Sequence, residues 1–390
     1  MANASGESED PPRASAAAVP LPSAPDKPLT TQGLVLRNAM LLMVAQAIAT
    51  PLAILANAVL ARFLGPIDFG YIYLAGTFLA FGFLAVEWGQ AGMLPALISR
   101  DRGSASVVLG TALSWRLGMA PIAYLIITAT CWALGYGGDL QIVLALAFMG
   151  AVVMTLNGAC QDAVRGFERT DVAATTQVMS SLLGVVVLVP VLLLGGGVRS
   201  VLAAQAACAL VILCVLWRAL RSIGVNKLSF QRKTLKVLLV GGTPFLAFSV
   251  AMVLQPSIDA AFLSRQASPE AVGWYAAARK LIGPLAMPAS ALITALYPTL
   301  TRLFAEDRQA FNRTTRDAVR TSTILAMPLA LGCLLYPDLG VRIFSRDSYG
   351  PAADNLRILS VFILLLYFSM PLGACLAAAG RSKAWAAAQG

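Results

Sequence analysis

The chain has 390 residues, of which 58% are hydrophobic and 12% charged, with a net charge of +10. A soluble globular domain carries about 25% charged residues, so this composition excludes a water-exposed body and predicts an integral membrane protein. Basic loops of a membrane protein explain the positive charge better than a nucleic-acid surface does, and the absence of histidine removes the commonest general base and metal ligand.

The first segment, residues 1–33, is rich in Ala, Ser and Pro and holds no long apolar run. It cannot bury enough apolar surface to fold, and it lacks the apolar core of a signal peptide. We therefore predict a disordered cytoplasmic tail. The predicted parts that follow are an N-terminal lobe at residues 34–217, a basic cytoplasmic linker at 218–236 and a C-terminal lobe at 237–390.

The rest of the chain contains ten apolar windows of the length that a helix needs to cross about 30 Å of hydrocarbon. None shows the period-2 alternation of a lipid-facing strand, so an all-α integral membrane fold is predicted. Six windows fall in the N-terminal lobe and four in the C-terminal lobe, which is expected to be incomplete. The predicted spans are residues 38–63, 71–97, 107–135, 140–159, 172–195, 201–217, 237–263, 272–300, 321–336 and 355–379.

The connections between these spans differ in charge. Even-numbered loops hold 17 basic residues, whereas odd-numbered loops and their edges hold 5. Because basic residues concentrate in cytoplasmic loops, the N-terminus and every even loop are predicted to lie in the cytoplasm. The expected location is a multi-pass position in the cell's inner or plasma membrane.

The first and seventh predicted spans end in similar segments. Asn57 lies 13 residues before Gly70, and Asp259 lies 14 residues before Gly273. In each copy a polar residue near the end of an apolar helix is followed by a short non-basic turn and then by glycine and aromatic residues. Six spans separate the copies, so both have the same orientation. This pattern predicts two parallel helical repeats with a cavity between them.

Charged residues inside the predicted spans are candidate site residues, because a charge at mid-bilayer costs at least about 2.5–3.5 kcal/mol. Glu87 and Arg116 fall at matching depths of about 14 Å on neighbouring antiparallel spans. They can pair at that depth. The pair either holds this hairpin together or lines a cavity and exchanges partners when a substrate enters.

Four further charges complete the candidate set. Arg279 and Lys280 lie about 10–12 Å from the outer face, where they either reach the headgroups or face the cavity. Asp259 near the outer end of its span either contacts water at the rim or accepts a cation. Arg357, two residues inside the tenth span, is best explained by a side chain that reaches the headgroups.

Three segments carry a resemblance to a known family: ARFLGPIDFGYIYLAGTF at 61–78, LKVLLVGGTPFLAF at 235–248, and the stretch from Asp259 through VGWYAAARKL to Asp307. They resemble the multidrug/oligosaccharidyl-lipid/polysaccharide flippase superfamily, in its polysaccharide-transporter, O-antigen flippase-like branch. The resemblance implies twelve or fourteen helices that include two six-helix lobes. The last of these helices are expected to be missing from this chain. It also implies a cation at the Lys280 position of the GxYxxAxK pattern.

The predicted function is movement of a polyprenyl-diphosphate-linked oligosaccharide across the inner membrane by alternating access, for O-antigen (lipopolysaccharide), capsule or exopolysaccharide synthesis. Four candidate cations against two carboxylates favour an anionic headgroup. The alternatives are a cation-coupled drug or metabolite antiporter of the same fold and a membrane enzyme acting on lipid-linked sugars. We expect no catalytic residues, metal or cofactor. The expected partners are the lipid-linked oligosaccharide, membrane lipids, a coupling Na⁺ or H⁺ and polysaccharide-assembly proteins, without nucleic acid.

Overall fold

The computed structural model describes residues 31–344 and 349–379. Every regular element in these ranges is helical, which confirms the predicted all-α membrane fold. Apart from one 3₁₀ turn at Arg102–Ser104, the elements are α1 (Thr31–Glu87), α2 (Gln90–Arg100), α3 (Ala105–Ala133), α4 (Gly138–Gly166), α5 (Thr170–Leu193), α6 (Val198–Ser222), α7 (Arg232–Gln266), α8 (Pro269–Leu285), α9 (Met287–Glu306), α10 (Arg308–Leu335), α11 (Pro337–Phe344) and α12 (Ala352–Ala378).

The 57 residues of α1 would measure about 85 Å if straight, far more than a bilayer core of about 30 Å. The helix breaks at Gly65, whose φ of 77° is accessible to glycine without steric cost. Pro66 follows, and its ring fixes φ and removes a backbone donor. The two arms of α1, residues 31–64 and 66–87, therefore form the first predicted span and most of the second, and the predicted turn between them is confirmed.

Two predicted spans are not continuous helices. Trp88 and Gly89 have positive φ values of 47° and 64°, so the second predicted span breaks before α2 begins. The eighth predicted span breaks at Ala286, between α8 and α9. Pro284 precedes that break and removes a helical hydrogen bond. Pro288 follows it in the first turn of α9, where proline is favoured because no helical hydrogen bond is lost.

Seven stretches of the described residues are long and apolar enough to cross a membrane. The first, Met40–Arg100, has 61 residues and contains both arms of α1 together with α2. The helices α7, α8 and α9 lie outside these seven stretches, so the seventh and eighth predicted spans stay predictions. The stretches are Met40–Arg100, Arg102–Ala133, Gly138–Gly166, Thr170–Leu193, Val198–Ser222, Arg308–Leu335 and Ala352–Leu376.

The predicted tail and linker are only partly covered by the structure. Residues 1–30 and 380–390 lie outside the described residues, and α1 begins at Thr31, inside the end of the predicted tail. The predicted linker is helical at both ends, because α6 continues to Ser222 and α7 begins at Arg232. Only 223–231 is non-helical. The boundaries of the two lobes stay predictions.

The two similar sequence segments pack against each other. Gly70 lies against the Pro269 carbonyl and Gly273, and Gly273 lies against the Pro66 carbonyl, so a Cβ atom on either glycine would overlap backbone atoms. Each segment thus places a proline and a glycine four residues later in one reciprocal contact. Such reciprocity is what two copies related by a twofold axis produce.

This contact belongs to the end of the bundle that also carries the Gly65 kink and the turns after α3 and α7; we name it the kink end. Further bonds join α1–α6 to later helices there. Tyr136 and Ser264 share a hydroxyl–hydroxyl bond of 2.5 Å, Arg265 donates to the Leu134 carbonyl, and Arg62 donates to the Ile343 carbonyl at 2.5 Å. The opposite end, which carries the basic loops, is named the basic end.

Candidate functional site

Three adjoining cavities lie between α1, α4, α5, α6 and α8, and we name them together the chamber. The first, of about 580 Å³, is lined by α1, α4, α6 and α8, and its lining includes Gln205, Arg279 and Lys280. The second, of about 400 Å³, shares both of these cations and Asn57 with the first. The third, of about 460 Å³, shares Gln205 with the first and reaches Glu87.

The chamber is apolar over much of its wall but has a band of uncharged polar side chains. The amides of Gln46 and Gln177 bond to each other at 2.5 Å across α1 and α5, and Gln46 also donates to Thr50 at 3.0 Å. Such amides and hydroxyls are both donors and acceptors, so they suit a ligand rich in hydroxyl groups. The band comprises Gln46, Thr50, Asn57, Thr77, Gln177, Ser181 and Gln205.

Lys280 is the exposed cation of the chamber. Its side chain is exposed to two of the cavities, although the residue lies within α8. Among the described residues it has no hydrogen-bonding or ion-pairing partner. An ammonium group without a counter-ion in such surroundings favours an anionic ligand.

Arg279, the neighbour of Lys280, also lines both cavities but is held by the protein. Its guanidinium carbon lies 4.7 Å from the centre of the Phe362 ring, a cation–π contact that joins α8 to α12. Adjacent residues of a helix point about 100° apart, which explains why Arg279 reaches α12 while Lys280 stays free. The structure thus places both predicted cations on the chamber.

Asp259 lies at the side of this site rather than in its centre. Its carboxylate accepts a hydrogen bond from the Tyr275 hydroxyl and another, at 2.7 Å, from the backbone of Ala260. Tyr275 is one helical turn before Arg279 on α8. Asp259 therefore joins α7 to the face of α8 that carries the cations.

The predicted ion pair between Glu87 and Arg116 is wrong, because no guanidinium nitrogen of Arg116 lies within 4.0 Å of a Glu87 carboxylate oxygen. Arg116 is 1% exposed and donates to the Gln90 side-chain oxygen at 3.0 Å and to the backbone carbonyl of Thr155. The left-handed residues at the end of α1 turn the chain, and this turn brings Gln90 rather than Glu87 to Arg116. Glu87 instead lines the third cavity.

Arg357 lies apart from the other candidates. It forms ion pairs with Asp354 at 2.7 Å and with Asp338 at 3.6 Å, where α12 begins beside α11. It lines none of the three cavities of the chamber, and its role as a cavity residue stays a prediction. These partners neutralise its charge outside the chamber.

Sequence reasoning from charge missed the polar residues that complete the site. Gln90, Thr155, Gln177 and Gln205 carry no charge, so the cost of burying charge does not single them out. The available signal was the occurrence of amides within strongly apolar spans, where they form hydrogen bonds between helices.

The family of the chain follows from a profile described as "Polysaccharide biosynthesis protein", which matches residues 59–354. The chain belongs to this family. The match includes the kink, the chamber cations and the linker between α6 and α7. It confirms the resemblance that the segments at 61–78, 235–248 and 259–307 indicated, and no curated protein matches the chain.

Solved structures share the fold of this polysaccharide biosynthesis family member. An inward-facing multidrug resistance MATE family transporter of the MOP superfamily matches at a TM-score of 0.72 and 19% identity, over 89% of this chain and 86% of that chain. An outward-facing structure of such a transporter matches at 0.58 and 18% identity, over 92% and 85%. A MOP superfamily transporter from Pyrococcus furiosus, which is reported to have a binding pocket of reverse polarity, matches at 0.60 and 19% identity, over 92% of this chain and 85% of that chain.

The kink end is closed by direct hydrogen bonds. The Tyr136 and Ser264 hydroxyls share one, and Arg265 donates another to the Leu134 carbonyl, so the turn after α3 contacts the end of α7.

Proposed function

We propose that this protein carries an anionic, lipid-linked oligosaccharide across the membrane. The observation that carries the proposal is the unpartnered Lys280 ammonium group on the wall of the chamber. A diphosphate supplies the missing counter-ion, with Arg279 as a second contact. The band of amides and hydroxyls suits the sugar hydroxyls that follow the diphosphate.

Transport in this proposal follows alternating access. The described state closes the kink end, and a second state opens that end while the basic end closes. Two parallel repeats that meet at the Gly70–Gly273 contact provide bodies that can rock about a site near the middle of the membrane. The lipid tail stays in the bilayer while the headgroup crosses through the chamber. Either the membrane potential or a coupling Na⁺ or H⁺ drives the cycle.

The proposal is tested with purified protein in liposomes that contain a fluorescent polyprenyl-diphosphate oligosaccharide, by scoring its protection from an added glycosidase. We expect Lys280→Ala to slow translocation about 10- to 100-fold, because a hydrogen bond to a charged group contributes about 1.5–3 kcal/mol. Lys280→Arg should retain much of the rate. Arg357→Ala is the matched control, since it removes a cation that lies outside the chamber. Unchanged translocation in Lys280→Ala contradicts the proposal.

A second candidate is a cation-coupled drug or metabolite antiporter. The observation that favours it is the Glu87 carboxylate on the third cavity, where a cationic ligand would find a counter-ion. A structure of similar fold is described as a MATE multidrug transporter in complex with R6G. The same liposomes separate the two functions. Uptake of a cationic dye that depends on Glu87 and not on Lys280 supports the antiporter.

A further inference from the structure

A separate cavity lies beneath the connection between α6 and α7. Its volume is about 420 Å³, and it shares no lining residue with the chamber. We name residues 225–231, which cross this cavity, the strap. The lining consists of Gly110, Leu113, Ser114, Leu117, Leu156, Cys160, Leu213, Cys214, Trp217, Leu228, Ser229 and Phe230.

The strap is fixed to α3 by its backbone. The Ser229 amide donates to the Ser106 carbonyl at 3.4 Å, and the Gln231 amide donates to the Thr111 hydroxyl at 3.1 Å. A Cβ atom on Gly110 would approach backbone atoms of Ser229 at 2.6 Å, so the glycine permits this close crossing. The strap therefore forms a defined roof over the cavity.

The interior of this cavity suits a hydrocarbon chain and not water. The Ser114 hydroxyl already donates to the Gly110 carbonyl at 2.8 Å, and most other lining side chains are aliphatic, aromatic or thiol groups. Ser229 carries the other hydroxyl group of the lining, and one such group is too few for the about 2–4 polar partners that an ordered water needs. Its volume lies within the range of ligand sites, about 300–1,000 Å³.

The cavity has an open side. Leu117 is 52% exposed and Phe230 is 51% exposed, and Cys214 is exposed as well. Cys214 lies eight residues before the end of α6 at Ser222, which is about 12 Å. The opening therefore lies just inside the basic end, at the depth where acyl chains begin.

Cations surround this opening. The Arg221 guanidinium lies 5.4 Å from the ring centre of Trp217, which lines the cavity, and the exposed Lys227 directly precedes Leu228. Residues 218–236 contain no Asp or Glu, so no carboxylate in this segment competes for these cations. Basic clusters beside a membrane helix attract anionic lipid headgroups.

We propose that this cavity binds one acyl chain of an anionic phospholipid, whose headgroup contacts Arg221 and Lys227. The site belongs to a bulk lipid rather than to the transported one, because it is separate from the chamber. It holds the strap, and therefore the junction of α6 and α7, at the membrane surface. This inference does not depend on the proposed substrate.

Trp217 reports directly on the proposed site. The full chain is reconstituted with a lipid whose acyl chains carry bromine, which quenches tryptophan fluorescence on contact. The difference in fluorescence between the parent and Trp217→Phe gives the signal of Trp217 alone. For each cation that contacts the headgroup, we expect the mole fraction needed for half-maximal quenching to be about fivefold lower for brominated phosphatidylglycerol than for brominated phosphatidylcholine. Equal quenching by the two lipids overturns the proposal.

Two sets of variants complete the test. Arg221→Gln with Lys227→Gln should abolish the preference for phosphatidylglycerol, whereas Arg313→Gln with Arg316→Gln, at the basic end of α10, should keep it. Cys214→Trp fills the cavity from an exposed position and should remove the phospholipid that native mass spectrometry detects on the purified protein.

Val211→Trp is the matched control for Cys214→Trp, because its side chain is exposed on the same helix but does not line the cavity. Phospholipid retained in Cys214→Trp, or a preference that persists without the two cations, contradicts the proposal. Displacement of phosphatidylglycerol by an equal amount of polyprenyl diphosphate assigns the site to the carrier lipid and overturns it as well.

Discussion

Arg116 is a buried cation that neutral partners hold. Its bonds go to the Gln90 amide oxygen and to the carbonyl and hydroxyl of Thr155, the last at 3.4 Å. A buried charge needs such hydrogen bonds to offset its loss of hydration. Arg116 therefore joins α2, α3 and α4. It stabilises the wall of the third cavity through Thr155, which lines that cavity.

Removing one partner of Arg116 should destabilise the fold. We expect Gln90→Leu to lower the free energy of unfolding by about 1–3 kcal/mol, because a buried donor of Arg116 loses its acceptor. The measurement is the melting temperature of the purified protein in detergent.

Arg102→Ala is the control for Gln90→Leu. It breaks a 3.2 Å ion pair with Glu168 in which both side chains are exposed, at 58% and 72%, and exposed pairs contribute at most about 1 kcal/mol. A melting temperature of Gln90→Leu no lower than that of Arg102→Ala contradicts the proposed role of the bonds to Arg116.

These residues show what a sequence can predict about such a site. The cost of burying charge identified Arg116, Arg279 and Lys280 as residues that need more than an apolar environment. The structure places Arg116 on hydrogen-bond acceptors, Arg279 on an aromatic ring and Lys280 on the chamber. The charge argument could not identify the partners of Arg116 and Arg279, because these partners are uncharged. Depth along ideal helices paired Glu87 with Arg116, and the break at Trp88 and Gly89 invalidates that register.

The elements that position the chamber are α1 and α8, which cross at Gly70 and Gly273. The contact leaves no room for a Cβ atom, because the nearest atoms are backbone. Closing the kink end therefore requires glycine on both helices. The reciprocal arrangement links the closure of the two repeats.

Gly273→Ala should keep the kink end from closing fully. We expect faster labelling of Asn57→Cys, on the chamber wall, by a membrane-impermeant maleimide added at the outer face of cells with a cysteine-free background. The measurement is the labelling rate compared with that of the parent.

Gly118→Ala is the comparison for this change, since a Cβ atom there meets nothing within 4 Å. Equal labelling rates in the Gly273→Ala and Gly118→Ala proteins would show that the glycine crossing does not control access to the chamber.

Hydropathy predicted which segments are helical but not where the long helices break. The breaks at Gly65, at Trp88–Gly89 and at Ala286 occupy one or two residues, whereas a window of about 20 residues averages over them. The turn at Gly65 was predicted because a polar, glycine-containing loop surrounds it. The break at Trp88–Gly89 lies between Glu87 and Gln90, and the break at Ala286 lies between Pro284 and Pro288. Both were missed because the windows that contain them are apolar on average.

At the scale of the whole molecule, the charge asymmetry of the loops predicts the orientation. The basic end should face the cytoplasm and the kink end the outside. In intact cells, an impermeant thiol reagent should label Gly197→Cys, at the kink-end turn before α6, but should label Asn226→Cys in the strap only after permeabilisation. The opposite labelling pattern contradicts the predicted orientation.

The free ammonium group of Lys280 has an electrical consequence. In the proposed cycle, the empty site carries the positive charge of Lys280 in the membrane field, and a bound diphosphate offsets or reverses that charge. Displacing one elementary charge across the full field is worth about 2.3 kcal/mol per 100 mV. An interior-negative voltage therefore favours return of the empty site toward the cytoplasm, and it favours outward movement of the loaded site where the diphosphate makes its net charge negative.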